Sequence, residues 1–112
     1  MARLKIINDF KVGGPSILAE GCGINTKIDP SGTFPTDDFQ PITPPCTITL
    51  TPDRPESLDW GCKCKWPHGC LLIPLESGKW TITFFKSALK DETTVPIDDD
   101  DATVTVGEHQ TC

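Results

Sequence analysis

Six cysteines in a chain of 112 residues constrain this fold more than any other feature of the sequence. The count is even, and a domain of this size gains from cross-links because its core alone leaves only a small surplus over chain entropy. The sequence therefore predicts a disulfide framework. The predicted bridging residues are Cys22, Cys46, Cys62, Cys64, Cys70 and Cys112.

Half of these cysteines lie in the stretch GCKCKWPHGC, residues 61–70. Cys62 and Cys64 are too close along the chain to pair comfortably with each other, given the separation that a bridge needs. We expect one local bridge, from Cys62 or Cys64 to Cys70 around the bend at Pro67, and two long bridges that tie the other three cysteines to the body. A closed loop of this kind would be stiff, and stiffness lowers the ordering cost of binding.

The constrained loop would present Lys65, Trp66 and His68, and Trp60 lies just before it. A tryptophan face can stack on the apolar side of a sugar ring while nearby polar groups set the orientation of the ring. These four residues are the predicted ligand-binding residues of a lectin-like, defence-type protein whose partner is a glycan or glycoconjugate. The competing interpretation is that both tryptophans cover the core beneath a loop.

Two other functions stay open for the same stretch. A lysine on a disulfide-anchored loop has the general layout of a serine-protease inhibitor, in which Lys65 or Lys63 would enter an acidic specificity pocket. Alternatively, His68 and the three cysteines of the stretch offer a sufficient tetrahedral set for a zinc-stabilised interaction module. The Cys-x-Cys spacing argues against zinc, because the usual knuckle places two residues between its cysteines. No metal or cofactor is therefore predicted.

The rest of the chain reads as short strands separated by turns rich in Pro and Gly. In WTITF, for example, Trp80, Ile82 and Phe84 share one face, which indicates a strand with one buried side. The predicted strands are Arg3 to Asp9, Gly23 to Ile28, Cys46 to Thr51, Cys70 to Leu75, Lys79 to Lys86 and Ala102 to Gly107. The predicted fold is all-β: a small antiparallel β-sandwich stapled by disulfides, with little or no helix, as one domain over residues 1–112. Only residues 84–90 could hold a helical turn.

The clearest unit is CLLIPLESGKWTITFF, in which two apolar runs flank Glu-Ser-Gly. Gly78 can take the positive φ of a short hairpin loop, so the segment predicts a hairpin with both runs in the centre of a sheet. Pro74 removes a ladder donor and predicts an edge or a bulge at that point.

The net charge of −6 makes nucleic acid an unexpected partner, because phosphate backbones would be repelled. No segment is apolar and long enough to predict a transmembrane helix or a signal peptide. Disulfides nevertheless predict a secreted or extracellular protein, with a removed signal or another export route left open. The acidic run Asp98 to Asp101 favours a solvated turn over a calcium site. An exposed sheet edge could support a homodimer.

Catalytic groups are sparse. His68 and His109 lie in loop-like or terminal segments, the Gly-x-Ser-x-Gly motif of hydrolases is missing, and the chain has no tyrosine. A Cys70 and His68 nucleophile pair would need a free thiol, whereas Cys70 is expected to be bridged. The sequence predicts a protein that is not an enzyme.

Overall fold

The computed structural model describes residues 1–86 and 93–112 as two stacked β-sheets, with no helix among those residues. The strands are β1 (Arg3–Asn8), β2 (Ile17–Gly21), β3 (Ile24–Ile28), β4 (Thr33–Phe34), β5 (Gln40–Pro41), β6 (Cys46–Pro52), β7 (Trp60–Trp66), β8 (Gly69–Ile73), β9 (Trp80–Phe85), β10 (Thr94–Pro96) and β11 (Asp101–Glu108). The predicted all-β sandwich is confirmed. The start of the predicted helical turn belongs to β9, and its residues 87–90 lie outside the described residues.

The first sheet has six strands in the order β4-β1-β11-β7-β8, with β5 also paired to β1, and the second has five in the order β10-β9-β6-β2-β3. Most neighbours run antiparallel, as predicted. Two pairs do not: β1 lies parallel to β11, and β10 lies parallel to β9. The pairing of β1 with β11 joins segments from opposite ends of the sequence, such as Arg3 and Asp101.

Strand alternation decides which side chains form the core between the sheets. Trp80, Ile82 and Phe84 are fully buried, whereas Thr81 and Thr83 between them are only partly buried, which confirms the predicted faces of this strand. The inner faces of β6 and β11 follow the same rule with their aliphatic residues. Period-two alternation of this kind is what a strand needs when only one face is covered.

The segment from β8 to β9 corrects the predicted hairpin. The turn itself is confirmed, since Ser77 and Gly78 have φ of 54° and 76° and Glu76 bridges to Lys79. The flanking runs, however, enter different sheets, with β8 at an edge of the first sheet and β9 inside the second. Pro74 follows the end of β8 and has no N–H to continue the ladder, so the chain leaves one sheet there and crosses to the other.

Two disulfides tie the sandwich together. Cys22–Cys46 spans 24 residues and joins the β2–β3 turn to the start of β6, and Cys70–Cys112 spans 42 residues and fastens the last residue to β8. Four of the six predicted bridging cysteines are therefore paired. Both bridges are long in sequence, and Cys112 anchors the end of the chain as expected.

The predicted local bridge is wrong, because Cys62 and Cys64 carry free thiols. Both lie on the inward face of β7 and are buried in the core. Cys70 stands opposite Lys65 in the β7–β8 ladder and so belongs to the outward face of the same sheet. Residues on opposite faces of a sheet cannot come within the distance that a disulfide requires.

The last residues run back over the outward face of β7. Gln110 packs over Gly61, where an added Cβ would meet Gln110 atoms at 3.4 Å, and Lys63 Nζ donates a hydrogen bond to the Thr111 carbonyl oxygen at 3.3 Å. Cys112 then reaches Cys70 on the neighbouring strand. The bridge therefore holds a strap of chain across β7.

Candidate functional site

The stretch from residue 61 to 70 is a tight β-hairpin, not a loop. β7 and β8 are joined by the two-residue turn Pro67-His68. Trp66 is partly buried against the core, with its ring over Gly69, where an added Cβ would lie 2.8 Å from the Trp66 Cζ2 atom. Lys65 projects from the opposite face and is exposed. The structure therefore does not bring these two predicted binding residues together.

His68 lies at the hairpin turn, with its Nε2 atom 3.9 Å from Asp100 Oδ1. The residues of the zinc alternative are also separated, since two thiols face the core and the sulfur of Cys70 is in a disulfide. Over residues 1–86 and 93–112, no group of three His, Cys, Asp or Glu side chains is placed to hold a metal ion.

The inhibitor alternative meets a similar obstacle. Lys65 is paired on both sides, with Thr103 of β11 and with Cys70 of β8. A protease pocket receives a residue from a protruding segment, and a strand with two neighbours in its sheet does not protrude. The location of Lys65 argues against this role.

The two buried thiols give a direct test of the bridge pattern. Burial raises the pKa of Cys64 to about 12, and burial together with the charge of Cys64 raises the pKa of Cys62 well above its ordinary value. Since the thiolate is the reactive form, both thiols should resist iodoacetamide in the native protein. Mass spectrometry should find no adduct in buffer and two in denaturant, and a gain of four hydrogens on reduction of the two bridges. Six hydrogens gained would contradict this structure.

A cleft with a volume of about 570 Å³ opens at the end of the sandwich where β1 and β11 finish and β7 begins. Residues 9–15 form one wall, Arg54 and Pro55 belong to the opposite loop, and Trp60 and Glu108 contribute from the strand ends. Trp60 is the one predicted binding residue that lines this cleft. It is partly buried and packs edge-on against Phe10, with ring centroids 4.9 Å apart and an interplanar angle of 66°.

Asn8 holds the wall formed by residues 9–15. Its buried side-chain Nδ2 donates hydrogen bonds to the carbonyl oxygens of Pro15 and Ile28, both at 3.0 Å. Its Oδ1 atom accepts a hydrogen bond from the Phe10 N–H at 3.1 Å. A buried amide with its donors and its acceptor engaged fixes the backbone around it, so the Phe10 ring behind Trp60 is firmly positioned.

The two loops of the cleft are also fastened to each other. Arg54 Nη1 donates to the Gly13 carbonyl oxygen at 2.7 Å. Ser16 and Asp53 exchange two hydrogen bonds, because the Asp53 N–H donates to the Ser16 carbonyl oxygen and the Ser16 N–H donates to Asp53 Oδ1, each at 3.0 Å. Such a cleft is formed before any ligand arrives, which lowers the cost of ordering on binding.

The cleft combines an aromatic surface with charges of both signs. Asp9 directly follows β1, and Glu108 is the last residue of the neighbouring strand β11. Both side chains are exposed. Lys11 and Arg54 supply cationic donors from the two loops. Carboxylates accept hydrogen bonds from hydroxyl groups, ammonium and guanidinium groups donate them, and an indole offers a flat apolar face. This arrangement suits a polar ligand that has an apolar face and many hydroxyls.

Most residues of this site were not predicted from the sequence. Asn8 carries a signal in hindsight, since it is a polar residue on the inward face of a strand with alternating burial. Asp9, Lys11, Arg54 and Glu108 carry none, because charged residues at strand ends and in turns are ordinary.

No protein-family model, curated protein or solved structure matches the chain. Within the described ranges, no helix is long and apolar enough to cross a membrane. The site must therefore be interpreted from its own geometry.

Proposed function

We propose that this chain is a non-enzymatic carbohydrate-binding protein with a lectin-like, defence-type role, and that the sugar binds in the cleft beside Trp60. One observation carries the proposal: a partly buried indole lines a preformed cleft of about 570 Å³ together with carboxylate and cationic side chains. Ligand sites of this size are mostly apolar with a few placed polar groups. Two disulfides are compatible with an extracellular location, where glycans are displayed.

The sugar would lay its apolar face on Trp60 and direct hydroxyl groups toward Asp9 and Glu108. Arg54 already donates a hydrogen bond to the Gly13 carbonyl oxygen, so its main role is to hold the two loops together. Lys11 is free to donate to a ring or hydroxyl oxygen of the sugar. Because these contacts are hydrogen bonds and stacking, no bond in the ligand needs to break. Binding alone is therefore the activity that we assign to the cleft.

Replacing Trp60→Ala should weaken binding to the best ligands of a glycan array by about tenfold or more, since truncating a tryptophan hot spot costs about 2 kcal/mol or more and about 1.4 kcal/mol is a factor of ten. The matched control is Trp66→Ala, which removes a partly buried indole from the other end of β7. That variant should bind as the wild type does. Asp9→Asn should also weaken binding while leaving the packing around Phe10 intact.

Two outcomes would contradict the cleft. Binding that survives both Trp60→Ala and Asp9→Asn would show that the sugar lies elsewhere. Loss of binding in Trp66→Ala with Trp60→Ala unaffected would return the site to the β7–β8 hairpin that the sequence first indicated.

A further inference from the structure

We propose that the sugar recognised by the cleft is the headgroup of a glycolipid, and that two apolar loop tips beside the cleft enter the lipid surface. The inference rests on the proposed function, because it names the source of the sugar. It goes further by assigning a second contact surface, made of Val12 and Leu58, to which the sugar-binding residues do not contribute.

These two side chains are the most exposed large hydrophobic residues of the described chain. Val12 is 90 % exposed and Leu58 is fully exposed. Each occupies the second position of a hydrogen-bonded turn. The Gly14 N–H donates to the Lys11 carbonyl oxygen at 2.8 Å, and the Trp60 N–H donates to the Ser57 carbonyl oxygen at 3.1 Å. A side chain at the corner of such a turn projects away from the body of the protein.

The first turn is part of a cleft wall, and the second turn ends at Trp60, which lines the cleft. Val12 lines the cleft itself, and Leu58 lies in the same loop as Arg54 and directly before Asp59 and Trp60. The hydrogen bond from Arg54 to the carbonyl oxygen of Gly13 connects the loop that carries Leu58 to the turn that carries Val12. This bond links the two loops that carry the tips.

Position separates these tips from the other exposed leucines. Leu18 and Leu72 lie within β2 and β8, where single apolar residues on a sheet face are ordinary. Val12 and Leu58 instead lie at the corners of two turns, one in the cleft wall and one ending at Trp60, and tryptophan is a residue favoured at membrane–water interfaces. Moving both tips out of water would remove apolar area from solvent at the moment when the cleft meets a headgroup.

Charge selects the kind of surface. Carboxylates outnumber cations at this end of the molecule, and the whole chain has a net charge of −6. The cations are Lys11 and Arg54, and the carboxylates are Asp9, Asp53, Glu56, Asp59 and Glu108. An anionic bilayer would repel this end of the molecule. The occupant that fits is therefore an uncharged glycolipid in a zwitterionic bilayer.

The test compares one set of sugars in two forms. Phosphatidylcholine vesicles containing neutral hexosylceramides present them on a surface, and oligosaccharides released from the same lipids present them in solution. Wild-type protein should sediment with the glycolipid vesicles, bind plain phosphatidylcholine vesicles weakly, and lose vesicle binding when phosphatidylserine is added. The variant Leu58→Ser should bind the glycolipid vesicles several-fold less tightly and the released sugars equally well. Adding Val12→Ser should weaken vesicle binding further, to about tenfold.

The matched controls are Leu72→Ser and Leu18→Ser/Leu72→Ser, which remove one and two exposed leucines from sheet faces, and both should bind like the wild type. Equal vesicle binding by the wild type and Leu58→Ser would overturn the inference while the proposed function stands on the released sugars. Failure of the wild type to bind either form of sugar would overturn the proposed function. Binding to plain vesicles as tight as to glycolipid vesicles would overturn the assignment of a sugar headgroup.

Discussion

Reducing both disulfides should lower the free energy of unfolding by about 7 kcal/mol, the largest change expected for this protein. In the chain-entropy model, a bridge stabilises by restricting the unfolded chain, and the effect grows slowly with the length of the closed loop. Cys70–Cys112, with a separation of 42 residues, should contribute about 4 kcal/mol, and Cys22–Cys46, with 24, about 3.5 kcal/mol. Because small domains typically have only about 5–15 kcal/mol in total, the reduced chain should be largely unfolded.

The measurement is urea unfolding followed by tryptophan fluorescence, with and without a reductant. Two paired variants, Cys22→Ser/Cys46→Ser and Cys70→Ser/Cys112→Ser, separate the contributions of the bridges. The control is Cys62→Ala/Cys64→Ala, which removes no bridge and should keep the full response to the reductant. If the wild type gained four hydrogens on reduction yet unfolded at the same urea concentration, the stabilising role of the bridges would be refuted.

Raising the pH above about 9 should destabilise the fold through the two buried thiols. Burial raises the pKa of Cys64 from 9.0 to about 12 and that of Cys62 well above its ordinary value. Between pH 9 and the raised pKa values, the unfolded chain has released its thiol protons while the folded chain still holds them. The thiols therefore contribute their full stability below pH 9, and this contribution falls as the pH rises toward 12. The slope is about 1.4 kcal/mol per pH unit for each thiol.

Comparing urea unfolding at several pH values from 8 to 11 in the wild type and in Cys62→Ala/Cys64→Ala tests this slope. The variant should be less stable at pH 8, because truncation leaves small cavities in the core. Its stability should fall less steeply with pH, since the lysines and other groups that titrate in this range are common to both proteins. Parallel curves would show that the thiols do not control the alkaline response.

The fold class could be predicted because burial on one face of a strand leaves a period-two pattern in the sequence. WTITF and CTITLT show that pattern with conventional apolar residues, and both became interior strands. β7 has the same period, with Cys62, Cys64 and Trp66 inward, but its cysteines suggested a cross-linked loop. The alternation of cysteine and lysine was the better guide, since a buried free cysteine behaves as a small hydrophobic residue.

Pairing between distant segments could not be predicted. A strand's sequence shows which side chains face the core, but it does not name the neighbour that completes the ladder, and this holds for β1 and β11 and for each cysteine partner. The cleft could not be predicted for the same reason, because it forms between segments that are distant in sequence. Trp60 was found because an indole is conspicuous, whereas Asn8, Arg54 and Glu108 acquire their roles only when three separate parts of the chain meet at one end of the sandwich.

The parallel pairing of β1 with β11 has a consequence for biosynthesis. Arg3 and Asp101 are 98 residues apart, so at typical translation rates β1 leaves the ribosome roughly 5 to 20 seconds before its partner is made. During that interval the apolar side chains of Leu4 and Ile6 have no finished sheet to cover them. The nascent chain must therefore wait in an open state, and we expect this protein to depend on holding chaperones more than a β-sandwich assembled from consecutive hairpins.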